Sequence, residues 1–66
     1  MPANKYTYLL VIQQYYAGYW EDVSQYEVES DFLGGQYQDW RMDVKEYRLT
    51  GYPTRTIHRR EKKELN

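Results

Sequence analysis

The stretch YTYLLVIQQYY, residues 6–16, sets the architecture of this chain. Bulky apolar side chains occupy its odd positions, at Leu9 and Val11, and also its even positions, at Leu10 and Ile12. Successive side chains of a β-strand point to opposite faces of the sheet, so a strand that is apolar on both faces belongs where both are covered. The pattern therefore predicts that Tyr6 to Tyr16 forms the central strand of a sheet.

Two further strands are predicted beside this one. Ala17-Gly18 is expected to form a turn, because glycine adopts a positive φ without steric cost. After the turn, Tyr19 to Val28 alternates bulky and polar residues, which predicts a second strand antiparallel to the first. Thr54 to Arg59 contains β-branched residues but a single strongly apolar one, Ile57, and this suits an edge strand. Basic side chains on such an edge also discourage unwanted pairing with other chains.

A helix is predicted between the second and third strands, from near Gln36 to about Leu49. Apolar residues recur here at spacings of three and four, which is the pattern of a helix with one buried stripe. The stripe comprises Leu33, Tyr37, Trp40, Val44 and Tyr47. Ser30 or Asp31 could cap an earlier start, but Gly34-Gly35 follows, and interior glycines destabilise a helix. A glycine and a proline shortly after Leu49 end it.

Together these elements predict an α+β fold: a three-stranded antiparallel sheet with one helix packed on one face, in the order β-β-α-β. The 66 residues are expected to form a single domain, residues 1–66, with residues 1–5 and 61–66 flexible. A chain of this size buries only about 60% of the surface that its unfolded form exposes. Its core is therefore small, and association with a second copy would add stability.

Tyrosine and tryptophan dominate the aromatic content, with nine Tyr, two Trp and a single Phe. These side chains combine a large apolar body with a polar tip and are enriched where proteins contact one another. The absence of cysteine excludes disulfides and thiolate metal sites. The single histidine, His58, cannot assemble a zinc site with the scattered carboxylates, and no cofactor motif is present. His58 near Glu61 suggests acid–base chemistry, but no nucleophile or phosphate loop accompanies it. The chain is predicted to be a binding protein and not an enzyme.

The sequence predicts a cytoplasmic protein without a membrane contact. Its longest apolar run is four residues, Leu9 to Ile12, whereas roughly 18 are needed to cross a bilayer. The N-terminus also lacks the basic region and apolar stretch of a signal peptide.

Charge is distributed unevenly, although the net charge is only −1. Residues 21–47 contain eight acidic and two basic residues, and residues 48–66 contain six basic and two acidic residues. The acidic middle and the basic end either attract each other within the fold or present two oppositely charged faces to partners.

Four segments resemble a group of short, uncharacterised proteins carried by tailed bacteriophages, prophages and other mobile elements. The segments are YLLVIQ (residues 8–13), GYWEDVS (18–24), KEYR (45–48) and YPTRTIHRR (52–60). The chain departs from the group at residues 31–35, where DFLGG replaces an alanine- and glutamate-rich helix start. The resemblance implies a phage or mobile-element setting in the cytoplasm of a host cell. By analogy with other small accessory proteins of phages, the resemblance also implies that the chain binds a host protein, such as a defence nuclease, to redirect or inhibit it.

The leading hypothesis is a protein-binding surface beside the predicted turn, because this region has more large rings than a small core can cover. Its anchor residues are Tyr15, Tyr16, Tyr19 and Trp20, with Arg55 and Arg59 nearby. Two interpretations of Trp20 remain open. It fills the core, or it joins Glu21 and Asp22 in an acidic hook for a partner's arginine.

The alternative hypothesis is a nucleic-acid interface on the basic end of the chain. Its residues are Arg55, Arg59, Arg60 and Lys62. Strand alternation places Arg55 and Arg59 on one face and His58 and Arg60 on the other, which divides the positive charge. The sequence pI of about 5.7 also differs from the basic footprint of nucleic-acid-binding domains. A further alternative is a purely structural homodimer.

Overall fold

A computed structural model describes residues 6–62 and contains three strands and one helix. The elements are β1 (Tyr6–Tyr16), β2 (Tyr19–Val28), α1 (Tyr37–Arg48) and β3 (Thr54–Lys62). Both β2 and β3 pair antiparallel with β1, in the sheet order β2-β1-β3. The predicted α+β class, the central position of β1 and the order of elements are confirmed. Within residues 6–62, α1 is neither long nor apolar enough to cross a membrane.

The structure describes only residues 61 and 62 of the two terminal segments that were predicted to be flexible. Residues 61 and 62, predicted to belong to a flexible tail, continue β3 as far as Lys62. The other residues predicted to be flexible, 1–5 and 63–66, lie outside the described part of the chain.

The turn between β1 and β2 has two residues, because Tyr16 lies directly opposite Tyr19. Ala17 has φ 53° and Gly18 has φ 97°. Positive φ at both central residues is the requirement of a type I′ turn, whose twist matches that of the strands it joins. The predicted Ala17-Gly18 turn is confirmed, and it fixes which residues of β1 and β2 face each other.

A β-bulge in β2 then reverses the alternation of side chains. Ile12 lies opposite Ser24 and Gln13 opposite Asp22, so Val23 is an extra residue in the ladder. A bulge of this kind shifts the following residues to the other face. As a result Val23, Tyr26 and Val28 all pack on the helix side of the sheet, while Asp22 faces away from the helix.

The apolar core lies between α1 and one face of the sheet. Its buried members are Leu10, Ile12, Tyr26, Val28 and Val44, and half-buried aromatic residues surround them. Trp40 belongs to this rim and donates a hydrogen bond from Nε1 to Thr56 Oγ1 at 2.8 Å. The predicted stripe is correct for Tyr37, Trp40, Val44 and Tyr47. It is wrong for Leu33, which precedes α1 and is 50% exposed.

The connection from β2 to α1 explains why Phe32 takes the place expected for Leu33. Phe32 has φ 62°, followed by two glycines with positive φ, so the chain turns sharply before the helix. A Cβ on Gly35 would lie 2.5 Å from the carbonyl oxygen of Glu27, and only glycine fits this close approach. Gln36 is the N-cap residue and makes no side-chain capping bond. Neither Ser30 nor Asp31 caps the helix.

Within residues 6–62 no helix lies over the other face of the sheet, yet the central residues of that face are buried. Val11 is fully buried and Leu9 is 8% exposed. Two adjacent glutamines at the end of the apolar run, Gln13 and Gln14, are also buried and point to opposite faces. No buried side-chain nitrogen or oxygen in the described residues lacks a hydrogen-bond partner.

Gln14 connects β1 to the end of α1 and the beginning of β3. Its Nε2 donates to the Tyr47 carbonyl at 3.0 Å and to Thr50 Oγ1 at 2.9 Å, and Thr54 Oγ1 lies at 3.2 Å. Replacing Gln14 with Leu keeps the volume but removes these donors, so we expect a loss of roughly 1–3 kcal/mol of unfolding free energy. Urea unfolding measures the loss. Gln38→Leu, at an exposed position of α1, is the control, and an equal loss there would contradict the assigned role.

Tyr26 gives the fold a dependence on alkaline pH. Its buried hydroxyl donates to Asp43 Oδ2 at 2.7 Å and accepts from Ser24 Oγ at 2.8 Å. Burial, together with the hydrogen bond to Asp43, raises the pKa of Tyr26 from 10.0 to about 12. A raised folded-state pKa contributes stability that is fully present below the unfolded pKa and is lost as pH rises through the folded one.

We therefore expect the unfolding free energy of the wild type to fall between about pH 10 and pH 12, and Tyr26→Phe to lack this part of the decline. At neutral pH the variant loses about 1 kcal/mol with its hydrogen bonds. Urea unfolding across the alkaline range provides the measurement, and Tyr19→Phe at the exposed turn is the control. A wild-type curve that stays flat over this range would refute the assignment.

Candidate protein-binding surface

The hairpin end of the sheet carries five aromatic residues, here called the aromatic tip. They are Tyr15, Tyr16, Tyr19, Trp20 and Tyr52. Tyr15 lies opposite Trp20 on the face away from α1, and Tyr16 lies opposite Tyr19 on the helix face. The four tyrosines are 43% (Tyr15), 51% (Tyr16), 62% (Tyr19) and 46% (Tyr52) exposed. The tip therefore presents rings on both sides of the hairpin.

Contacts among the rings order four of the five tip residues. The centroids of Tyr15 and Trp20 lie 5.5 Å apart with planes at 73°. On the other face, the centroids of Tyr16 and Tyr52 lie 5.4 Å apart with planes at 75°. Edge-to-face pairs of this geometry are favourable beyond the area that they bury. Because β1 contributes one ring to each pair, the hairpin orients both.

A polar network lies behind the tip on the face away from α1. It consists of Gln13, Asp22, Arg55 and Arg59. Gln13 Nε2 donates to Asp22 Oδ1 at 2.7 Å, and Arg55 Nε donates to Gln13 Oε1 at 2.8 Å. Arg59 binds both oxygens of Asp22, at 2.8 and 3.3 Å. Since Gln13 is on the central strand, the network joins all three strands.

Arg55 connects the polar network to the aromatic tip. Its guanidinium carbon lies 4.2 Å from the centroid of the Trp20 ring. Trp20 is thus held between Tyr15 on one side and Arg55 on another. A guanidinium over an indole face is a favourable cation–π arrangement. The indole is therefore ordered before any partner arrives, which reduces the entropy lost on binding.

The ion pair in the network compensates charge within the fold. The hydrogen bond from Arg59 lowers the pKa of Asp22, assisted by that from Gln13, and the same contact raises the pKa of Arg59. Asp22 belongs to the acidic middle of the sequence and Arg59 to its basic end. Part of the segregated charge is therefore neutralised internally.

The structure brings some of the predicted site residues together and separates others. Tyr15, Trp20, Arg55 and Arg59 share the face away from α1, whereas Tyr16 and Tyr19 lie on the helix face. Trp20 is half-buried and lies outside the helix-side core, where the tryptophan is Trp40. The acidic hook is not assembled, because Glu21 and Asp22 point to opposite faces and Asp22 is bound by Arg59.

Two residues of this surface, Tyr52 and Gln13, were not predicted as site residues from the sequence. Tyr52 lies between Gly51 and Pro53, where the pattern indicated only the end of a helix. Gln13 follows an apolar run, and nothing in its neighbourhood specified which strands it would join. A polar residue that directly follows an apolar run within one predicted strand is the one available signal, since a buried amide requires partners.

The residues of the nucleic-acid alternative are divided between two faces, as alternation predicted. Arg55 and Arg59 belong to the polar network, whereas Arg60 lies on the helix face with its guanidinium 4.2 Å from the centroid of Tyr6. His58, on that face, stacks on Phe32 with centroids 4.3 Å apart. Glu61 points to the opposite face.

Comparisons of the sequence with models of protein families, with curated proteins and with solved structures return no match. Among residues 6–62, no group of three or more His, Asp or Glu side chains is arranged to hold a metal ion. Function is therefore inferred from the residues and their geometry.

The Asp22–Arg59 pair predicts a dependence of stability on acidic pH. A folded-state pKa below the unfolded value gives stability that is present above about pH 4 and is lost as pH falls through the folded pKa. Both side chains are partly exposed, at 40% for Asp22 and 31% for Arg59, so we expect a coupling of about 0.2–1 kcal/mol that weakens with salt.

A double-mutant cycle with Asp22→Asn and Arg59→Gln measures this coupling. Urea unfolding at about pH 6 and about pH 3 should show the coupling at the higher pH and its reduction at the lower one. Glu46→Gln, at an exposed position of α1, controls for general charge effects. A coupling that persists unchanged at the lower pH would exclude the pair as its source.

Proposed function

We propose that this chain is a small, non-enzymatic protein that binds a partner protein through its aromatic tip. The observation that carries the proposal is that four tip tyrosines are each more than two fifths exposed. Three of them lie on the hairpin of β1 and β2, and the fourth, Tyr52, packs edge-to-face on Tyr16. Tyrosine, tryptophan and arginine are the residues most enriched among those that dominate binding energy at protein interfaces. The tip supplies tyrosine and tryptophan, and Arg55 stacks on Trp20 beside it, so this surface suits a protein contact.

Because four rings of the tip are already ordered by their contacts, the tip can bind tightly through a small surface. Each tyrosine offers a large contact area while losing only two side-chain torsions, and the contacts described above already restrict several of them. Trp20 and Arg55 are stacked in advance, so a partner gains their contact area at little entropic cost. Phenol hydroxyls at the rim supply hydrogen bonds for specificity.

A protein partner fits the electrostatics of this surface better than a nucleic acid. The guanidinium of Arg59 is bound to Asp22, and that of Arg55 is bound to Gln13 and stacked on Trp20. Phosphate contacts by either arginine would compete with these interactions, and the net charge of the chain is −1. Polyanion binding relies on free positive charge.

The motif resemblance to phage and mobile-element proteins supports a biological setting for this activity. In that setting the chain acts in the cytoplasm of a host cell, where it modulates a host protein. A defence nuclease is one candidate for the partner.

Paired substitutions at exposed apolar positions test the role of the tip. Tyr16→Ser with Tyr19→Ser removes two exposed rings without touching the core, so we expect the affinity for a captured partner to fall roughly tenfold or more. Met42→Ser with Leu49→Ser removes two exposed apolar residues on and just after α1 and is the matched control. Titration calorimetry with the purified partner gives the affinities. Equal affinities for the wild type and the tip variant would reject the proposal.

Tryptophan fluorescence locates the contact independently. Trp40→Phe leaves Trp20 as the sole indole, and we expect its emission to change when the partner binds. Trp20→Phe leaves Trp40, whose emission should not respond because its side chain packs between α1 and the sheet. Circular dichroism checks that Trp40→Phe remains folded after losing its hydrogen bond to Thr56. A response from Trp40 alone would place the contact elsewhere.

Binding of nucleic acid is the second candidate, favoured by exposed Arg60 and Lys62 next to a sheet that carries exposed rings. Titration with mixed single-stranded and duplex DNA at two salt concentrations distinguishes it, because phosphate contacts weaken steeply with salt. Absence of binding at low salt eliminates this candidate. The third candidate, a structural homodimer, predicts a sedimentation coefficient that rises with protein concentration.

A further inference from the structure

The two outer edges of the sheet differ in how they are protected. The edge of β2 is closed near its end by Gln36, which occupies the position of a neighbouring strand. The backbone N–H of Gln36 donates to the Glu27 carbonyl at 2.8 Å, and the Glu27 N–H donates to Gln36 Oε1 at 2.9 Å. Further along β2, the bulge at Val23 distorts the edge, which also hinders pairing.

In the part of the chain that the structure describes, the edge of β3 has neither form of protection. The Tyr15 N–H donates to the Pro53 carbonyl at 3.0 Å, which shows that odd-numbered residues of β1 bond toward β3. Hydrogen-bonded and non-hydrogen-bonded pairs alternate along an antiparallel ladder. The backbone groups of Ile57 and its alternate neighbours therefore face β1, and those of Thr56, His58 and Arg60 face outward.

These outward groups form a continuous row. β3 is nine residues long and pairs with β1 without a register shift. Outside the strand ladders, the backbone hydrogen bonds within residues 6–62 include none from Thr56, His58 or Arg60. An edge of this length and regularity is a template for another strand.

We propose that the outer edge of β3 binds an extended, acidic segment of a partner protein as a fourth strand. Addition of a strand satisfies the outward N–H and C=O groups through main-chain hydrogen bonds, and side chains then supply specificity. This site is separate from the aromatic tip and does not depend on it.

The positive charge of β3 favours an acidic segment as the added strand. The strand carries four Arg and Lys residues against one acid, Glu61. Arg60 and Lys62 lie two residues apart on the helix face and are exposed. An added strand lies about 4.8 Å away, so acidic side chains at alternate positions would lie beside both.

Other occupants fit this edge less well. A second copy of β3 would place basic side chains opposite one another, which is unfavourable. A nucleic acid offers phosphates to Arg60 and Lys62, but its backbone cannot pair with the outward row at Thr56 and His58 as a strand does. On the face away from α1, half-buried Ile57 favours a β-branched neighbour. The preferred segment thus alternates acidic and β-branched residues.

A nine-residue peptide that alternates Glu and Val tests the inference with the full chain. We expect amide exchange, followed by NMR, to slow at Thr56, His58 and Arg60 when the peptide is added, but not at the outward residues of β2, Trp20 and Asp22. A peptide with Lys in place of Glu should bind roughly tenfold more weakly. A peptide whose amides facing β3 are N-methylated cannot donate main-chain hydrogen bonds to the strand, so it should not slow exchange at these β3 residues.

A charge-reversal variant provides the matched control. Arg60→Glu with Lys62→Glu changes two exposed side chains, and we expect it to prefer the Lys peptide. The tip variant Tyr16→Ser with Tyr19→Ser should bind the Glu peptide as the wild type does, so failure at the tip and failure at the edge are separate results.

Three results would overturn the inference. One is unchanged exchange at the β3 amides with the Glu peptide at millimolar concentration. Another is equal binding of the N-methylated peptide, which would reduce the contact to charge alone. The third is slowed exchange at these amides with oligothymidine but not with the peptide.

Discussion

Burial of the central strand on both faces is the constraint on which this fold depends. β1 achieves it although two of its buried residues, Gln13 and Gln14, are polar. Their side chains point in opposite directions, and each amide gathers the elements on its own side. Gln14 joins the end of α1 to the beginning of β3, and Gln13 joins Asp22 to Arg55. A buried amide without partners would destabilise so small a domain, so both faces must assemble together.

The two faces of the sheet are covered by different means. A helix covers one face with apolar and aromatic side chains, as expected for a two-layer α+β domain. On the other face, the polar network and Trp20 take the place of a second layer: Arg59 bonds to Asp22, and Arg55 bonds to Gln13 and stacks on Trp20. Val11 is fully buried on this face. This arrangement also orders the surface from which the aromatic tip projects.

Local patterns predicted the elements well, because each depends on its own residues. Apolar side chains at both odd and even positions identified β1, and the spacing from Tyr37 to Tyr47 identified α1. The site was harder to predict, since the bulge at Val23 is invisible in a pattern of alternation. Strict alternation from Trp20 would direct Tyr26 and Val28 away from the helix, whereas the extra residue returns both to the core. Likewise, Leu33 matched the helical spacing, but the positive φ angles of Phe32 and the two following glycines turn the chain so that Phe32 packs against the core instead.

The bond pair between Gln36 and Glu27 has a consequence for stoichiometry. Open-ended polymerisation through β-sheets requires two complementary borders, or sheet edges, on every subunit, so that each added subunit leaves a free edge for the next. Here Gln36 occupies the place of a neighbouring strand beside Glu27 of β2, and the bulge at Val23 disfavours strand pairing along the rest of that border. A molecule with one usable border has a valence of one: it accepts a single added strand there. Complexes formed through that border therefore contain two molecules and do not grow further.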